Sequence, residues 1–145
     1  MTPHTLYPID KLVTDLTEEE GFRAHSYVCT AGAITVGVGR NIDADAGGLG
    51  ISEDEAHYML KNDITRCIEE LENLSWFNDL DSKRQGVIIH LNFWIGTPRM
   101  LMFKNMIAAL VAGNFQQAAD ELLDSKLARD IPARAARLAN ELRAT

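Results

Sequence analysis

Apolar residues recur at helical spacing at Ile9, Leu12, Val13 and Leu16, which predicts a helix over residues 8–20. One further step of four falls on Glu20, and Gly21 stands in the usual helix-ending position. The pattern therefore places the Glu20 carboxyl on the buried side of a helix C-terminus. Apolar surroundings and the negative end of the helix dipole would both favour the protonated acid there. The periodicity then changes. Tyr27-Val28-Cys29 and Ile34-Thr35-Val36 read as two short strands joined through Thr30-Ala31-Gly32, so the helix runs into a hairpin. Ile34, Val36 and Val38 share one face of the second strand, and Ala33, Thr35, Gly37 and Gly39 the other. Small residues on that second face let a ligand approach backbone and let Thr35 project into a cleft.

Ser52 followed by Glu55 is a capping box. Behind it Ala56, Leu60, Ile64, Cys67, Ile68, Leu71 and Leu74 make one stripe, predicting a long helix over about 52–74. Trp76-Phe77-Asn78-Asp79-Leu80 breaks the pattern, and Asp81 or Ser82 opens a helix with apolar residues nearly all round: Val87, Ile88, Ile89, Leu91, Phe93, Trp94 and Ile95. Such a helix belongs at the buried centre. Gly96-Thr97-Pro98 ends it, and Met102, Phe103, Met106, Ile107 and Leu110 form the next stripe. Asn114 caps a helix running through Leu123. Pro132 suits the first turn of a last helix, with Ala135, Leu138, Ala139 and Leu142 inward and Arg134, Arg137 and Arg143 outside. The expected class is α+β, mainly α, with a small hairpin beside a helical body.

With 145 residues, 46% of them hydrophobic, the chain has material for one core of ordinary size. No stretch approaches the roughly 20 apolar residues of a membrane span, and the first ten residues do not read as a signal peptide. The net charge of −7 argues against nucleic-acid binding, which needs a basic footprint. That charge is uneven: residues 1–80 carry 5 basic and 15 acidic side chains, and residues 81–145 carry 9 and 6. A cleft between the halves would be flanked by opposite charge. Two cysteines, Cys29 and Cys67, are too few for a disulfide framework, and Cys67 lies on the apolar stripe of its helix. His4, His25 and His57 lack companion ligands at metal spacing. The segment from Asn41 to Ser52 has the early oxygens of a calcium loop, but Ala46 occupies the glycine position and Ser52 the place of the bidentate glutamate, so a solvated connector is expected.

Glu20, eight residues, Cys29, five residues, Thr35 and then Val36-Gly37-Val38-Gly39 together resemble the catalytic hairpin of the phage-type lysozymes, glycoside hydrolase family 24, the T-even phage lysozyme-like family. The likeness continues through Asn41-Ile42-Asp43, Ser52-Glu53-Asp54-Glu55-Ala56, Phe103-Lys104 and Asp124–Arg129 to Arg134-Ala135. The family's triad is Glu, then Asp or less often Cys, then Thr. In this chain the residues departing from the family's habit are Trp94 at a position usually polar, Leu127 where Trp is usual, His90 where an acid or amide is frequent, and the acidic net charge.

The resemblance implies a single lysozyme-like domain over 1–145. Its hairpin lobe would span about 21–51, its connecting helix about 52–74 and its helical lobe about 75–145, with the N-terminal helix 8–20 packed on that lobe. It implies a peptidoglycan-degrading muramidase without a cofactor or metal. Glu20 is then the general acid, Cys29 the base or nucleophile, and Thr35 the residue that orients water. Asn41, Phe93, Trp94 and Arg134 become substrate-binding candidates, with Arg134 near the catalytic glutamate and able to pair with Glu19 or Glu20. On residue chemistry alone, Cys29 is equally a small buried hydrophobe, Thr35 an ordinary strand threonine and Arg134 an exposed first-turn arginine. The implied partners are bacterial peptidoglycan and a separate holin releasing a monomeric enzyme from the host cytoplasm. A lytic transglycosylase and a wall-binding module that has lost catalysis are the competing readings.

Overall fold

The computed structural model describes residues 6–145; His4 lies outside them. The chain divides into two compact units, residues 1–57 and 58–145. The first holds helix α1 (Ile9–Glu20), which Gly21 ends with a positive φ of 72° and an N–H that donates to the Thr17 carbonyl. A three-stranded antiparallel sheet follows in the order β1 (Arg23–Val28), β2 (Ile34–Gly37) and β3 (Arg40–Asn41). In β2, Thr35 is paired with Tyr27 on one side and Asn41 on the other, so it occupies the middle of the sheet.

The hairpin expected from the alternation is present, with two differences. Strand β1 starts four residues earlier, at Arg23, and ends before Cys29, which belongs to the turn. The third strand was not foreseen, because two residues are too short to show a period. Val38 and Gly39 form the turn into it, so the expected face pattern stops at Gly37. Burial also runs opposite to the expectation of an open small-residue face. Ala33 and Thr35 are the two buried residues of the described part of this unit, whereas Ile34 and Val38 are exposed. The loop after β3 is held by its own side chains. Asn41 Oδ1 accepts from the Asp43 amide (2.9 Å) and Asn41 Nδ2 donates to the Ala46 carbonyl (3.1 Å). Asp43 accepts from the amides of Asp45 (3.0 Å) and Ile34 (3.2 Å), tying the loop back to β2. The loop is a connector built on its own hydrogen bonds, in which these oxygens accept from backbone amides.

Helix α2 (Glu53–Leu71) begins in the first unit and ends in the second. Its capping box is fully formed: the Glu55 amide donates to Ser52 Oγ (3.1 Å), and Glu55 Oε1 accepts from the Ser52 amide (2.8 Å). The helix stops at Leu71, three residues short of the expectation, and Leu74 precedes the single turn α3 (Ser75–Asn78). The second unit then folds around α4 (Ser82–Ile95), which Asp81 caps by accepting from the Arg84 amide (2.9 Å). Val87, Ile88 and Leu91 are buried, as the all-round apolar pattern required, while Phe93 stays exposed.

A short turn α5 (Thr97–Met100) leads to α6 (Lys104–Val111), α7 (Phe115–Leu123), α8 (Lys126–Asp130) and α9 (Pro132–Arg143). Helix α7 is capped by Asn114 as expected and packs on α6 and α9. Ala135, Leu138, Ala139 and Leu142 of α9 are buried, the last three in one core with Leu91, Met106 and Leu122. Burying each leucine of this set stabilises the unit by about 1.5–3 kcal/mol. No helix among the described residues is long and apolar enough to cross a membrane.

Candidate active site

In the first unit Thr35 lies in the central strand, Cys29 in the turn at one end of it, and Glu20 at the end of α1 against the turn at its other end. Cys29 follows β1 in the turn to β2, where its amide donates to the Ala33 carbonyl (2.9 Å) and its carbonyl accepts from the Gly32 amide (2.9 Å). This tight turn aims backbone amides at the half-buried sulfur. Hydrogen bonds from the Ala33 amide, then the Thr35 hydroxyl and the Ala31 and Gly32 amides, lower the Cys29 pKa against the opposing effect of partial burial. Each of these donors stabilises the thiolate more than the thiol. The sulfur is therefore prepared to carry negative charge.

Thr35 is only 3% exposed and does not project into open space, contrary to the expectation from its strand face. The reason is its central position in the sheet. Its Oγ1 donates to the Ala33 carbonyl at 2.9 Å, and the hydroxyl lies near enough to the Cys29 sulfur to help lower its pKa.

Glu20 reaches the sheet at its other turn. A methyl group built on Gly39 would lie 2.9 Å from Glu20 Oε2 and 3.1 Å from its carboxyl carbon. Gly39 also has a φ of 65°, so glycine is required here both by conformation and by the side chain lying against it. The room left by this glycine is filled by the glutamate, where the sequence suggested room for a ligand. Glu20 is exposed and α1 buries none of its residues, so the apolar surroundings expected around the carboxyl are not found. A helix end meeting a sheet with two buried residues has too little apolar material to cover it.

The candidates of the second unit form a separate cluster. Phe93 is 45% exposed, with its ring accessible. Trp94 is half-buried at the margin of the core, and the Arg134 guanidinium lies 4.1 Å from its ring centroid. Arg134 Nε donates to His90 Nε2 at 3.0 Å. Arg134 is thus half-buried and engaged, where the helix pattern placed it outside. Partial burial, then the charges of Arg134 and Arg137, lower the His90 pKa and keep this ring a neutral acceptor.

These local features meet a match covering most of the sequence: the family model described as Phage lysozyme fits residues 17–137. The chain belongs to the phage lysozyme family. No curated protein matches it closely enough to add a named relative. Membership makes it a peptidoglycan-degrading enzyme of the endolysin type, a glycosidase, and the mainly helical chain with its small antiparallel sheet has the lysozyme-like α+β architecture.

Within this phage lysozyme the carboxamide of Asn41 is committed to its own loop at both ends, which makes it a builder of the hairpin. Sequence reading gave no role to Arg40, yet its guanidinium grips Glu55 through two bonds of 3.0 and 2.7 Å and donates to the Gly50 carbonyl at 3.0 Å. The pair joins β3 to the first turn of α2. Nothing local marks partners fifteen positions apart. The bond to Arg40, then those to Ser52, lower the Glu55 pKa to about 2. A depressed carboxylate contributes stability that is complete above its unfolded pKa of roughly 4.3 and is lost as pH falls through the folded value. Thermal melts of wild type and Arg40→Gln should therefore differ most above pH 5 and converge as pH approaches about 2. A constant difference across that range would show that the pair does not couple to folding.

Proposed function

We propose that this phage lysozyme hydrolyses the β-1,4 bond from N-acetylmuramic acid to N-acetylglucosamine, in the manner of glycoside hydrolase family 24 and its T-even members. Glu20 protonates the leaving glycosidic oxygen, and Cys29 as thiolate takes a proton from water as that water attacks the anomeric carbon. Thr35 stabilises the thiolate. The observation that carries this reading is the lowered pKa of Cys29, to which the Ala33 amide and then the Thr35 hydroxyl contribute, in the hairpin whose other turn receives Glu20 at Gly39. A lytic transglycosylase needs the acid but no activated water, so a sulfur whose pKa is lowered supports hydrolysis over it.

Glu20 is exposed, so a saccharide lying on it would supply the cover. A sugar ring lying on the carboxyl displaces water from it. In the second unit exposed Phe93 offers a ring face to a sugar, and Arg134, resting on Trp94, offers donors to acetamido or carboxylate oxygens. We further propose that the enzyme acts as a monomer held in the cytoplasm of the infected host until a separate holin opens its way to the wall.

Turbidity clearing of exposed cell walls tests the assignment of Cys29. Cys29→Asp should keep activity within about tenfold, because the same amides receive a carboxylate, whereas Cys29→Ala should lose roughly a hundredfold or more. A thiol alkylator should inhibit the wild type and spare Cys29→Asp. Activity untouched by alkylation would reduce Cys29 to packing. Mass spectra of the released muropeptides should show added water, and anhydro products would instead establish transglycosylation. An inverted anomer is expected at the first turnover, and a retained one would make Cys29 the nucleophile.

A further inference from the structure

Helices α4 and α9 bring together three side chains that the hydrolysis scheme does not explain as a set: His90, Trp94 and Arg134. The guanidinium of Arg134 is held twice, by the Trp94 ring beneath it and by His90 Nε2 at its Nε. Among the described residues neither of its Nη groups has an acceptor, so the two terminal nitrogens are the donors left for a ligand. Stacking on an aromatic ring fixes the plane of a guanidinium, and a bond to Nε fixes its rotation within that plane. An arginine held in this way loses less freedom when a carboxylate or acetamido oxygen binds.

We propose that His90 is a positioning residue for saccharide binding, its neutral imidazole orienting Arg134 on Trp94, so that protonation of His90 weakens binding at acid pH. This rests on the assignment of Arg134 to the substrate. The acceptor role needs the tautomer with hydrogen on Nδ1, and a second proton on Nε2 removes the acceptor outright. His90 would then place a positive charge against the arginine it had oriented.

The surroundings make this switch one-sided. From α9, Arg134 and Arg137 bear on His90 with positive charge. A groove of about 440 Å³ between α4 and α9 is lined by His90, Lys83, Gly86 and Glu141 among others. Lys83 adds a third cation from the helix of His90, and Glu141 is the one carboxylate lining the groove. Desolvation of the ring, then the charges of Arg134 and Arg137, hold His90 neutral to a lower pH than an isolated imidazole.

Two measurements test the proposal. The first needs no turnover. In an NMR titration of the intact protein, Arg134→Gln should raise the His90 pKa, since it removes a facing cation and the donor that stabilises the neutral ring. An unchanged His90 titration would overturn the proposed coupling whatever the enzyme's activity. The second is KM for soluble glycan strands as a function of pH. His90→Leu should raise KM roughly fivefold at neutral pH with kcat little altered, the effect of losing one hydrogen bond. His90→Gln restores an acceptor that does not titrate, so it should recover most of that loss and abolish the acid-side rise in KM seen in the wild type. An acid-side rise that persists in His90→Gln, or a KM unaffected by His90→Leu, would sink the idea. A chain that cleaves no glycan but shows the expected NMR shift would instead refute the hydrolase reading and leave the His90–Arg134 coupling standing.

Discussion

Glu20→Gln is expected to lower the rate of wall clearing by roughly a thousandfold, within the range that general acids contribute, while leaving the melting temperature within about 1 °C of wild type. Both halves follow from the site. Glutamine keeps the shape of the side chain that lies against Gly39, so the close approach there is preserved. The carboxyl is exposed and ends a helix with no buried residue, so folding has little invested in its charge. What glutamine lacks is the proton for the departing sugar oxygen. Activity at a tenth of the wild-type level or above would remove Glu20 from the acid role. A collapse of stability alongside the lost activity would show that the residue serves the fold.

Arg84→Leu is expected to destabilise the second unit by about 3 kcal/mol, through the loss of a buried charged group and its hydrogen bonds. For a chain of this length that corresponds to a fall in melting temperature of roughly 6–12 °C. Arg84 is 8% exposed, and each part of its guanidinium is used. Its Nε donates to the Leu142 carbonyl at 2.8 Å, Nη1 to Asp81 at 3.0 Å and Nη2 to the Ala144 carbonyl, while the plane lies 4.1 Å from the centroid of the Phe115 ring. The side chain thus joins the start of α4 to the last turn of α9, over the first residue of α7. Arg84→Lys should recover less than half of the loss, because an ammonium cannot present the planar fork or stack in the same way. Differential scanning calorimetry of the three proteins decides the matter. A leucine variant melting within 2 °C of wild type would show that the buried arginine adds nothing net.

Arg84 also marks the limit of sequence reading. A polar residue in the first turn of an apolar helix looks solvated, and its carbonyl partners lie 58 and 60 positions away. The same holds for Arg40 with Glu55 and for His90 with Arg134: charges and rings carry no periodic signal, and their pairing depends on elements that meet only in the folded chain. Trp94 looked like core or sugar platform, and it is the base on which an arginine rests. Thr35 and Glu20 exchanged environments relative to expectation, the threonine buried by its central strand and the glutamate exposed at the end of an uncovered helix.

What the residues determine without help is local. Helical spacing and capping chemistry place α1, α2, α4, α7 and α9 almost where they are found, since each rests on contacts within four residues or on one stripe facing a core. The glycines after Glu20 and before Arg40 fix the turns by their positive φ, and the spacing of Glu20, Cys29 and Thr35 identifies the family before any coordinate is seen. Tertiary structure decided which polar groups touch. Only the closed turn turns amides toward the Cys29 sulfur, only the meeting of α1 with the sheet brings a carboxyl against Gly39, and only the packing of α4 on α9 gives Arg134 its ring and its acceptor. Hydrogen bonds and charge effects act over a few ångströms in space, and chain separation says almost nothing about that distance.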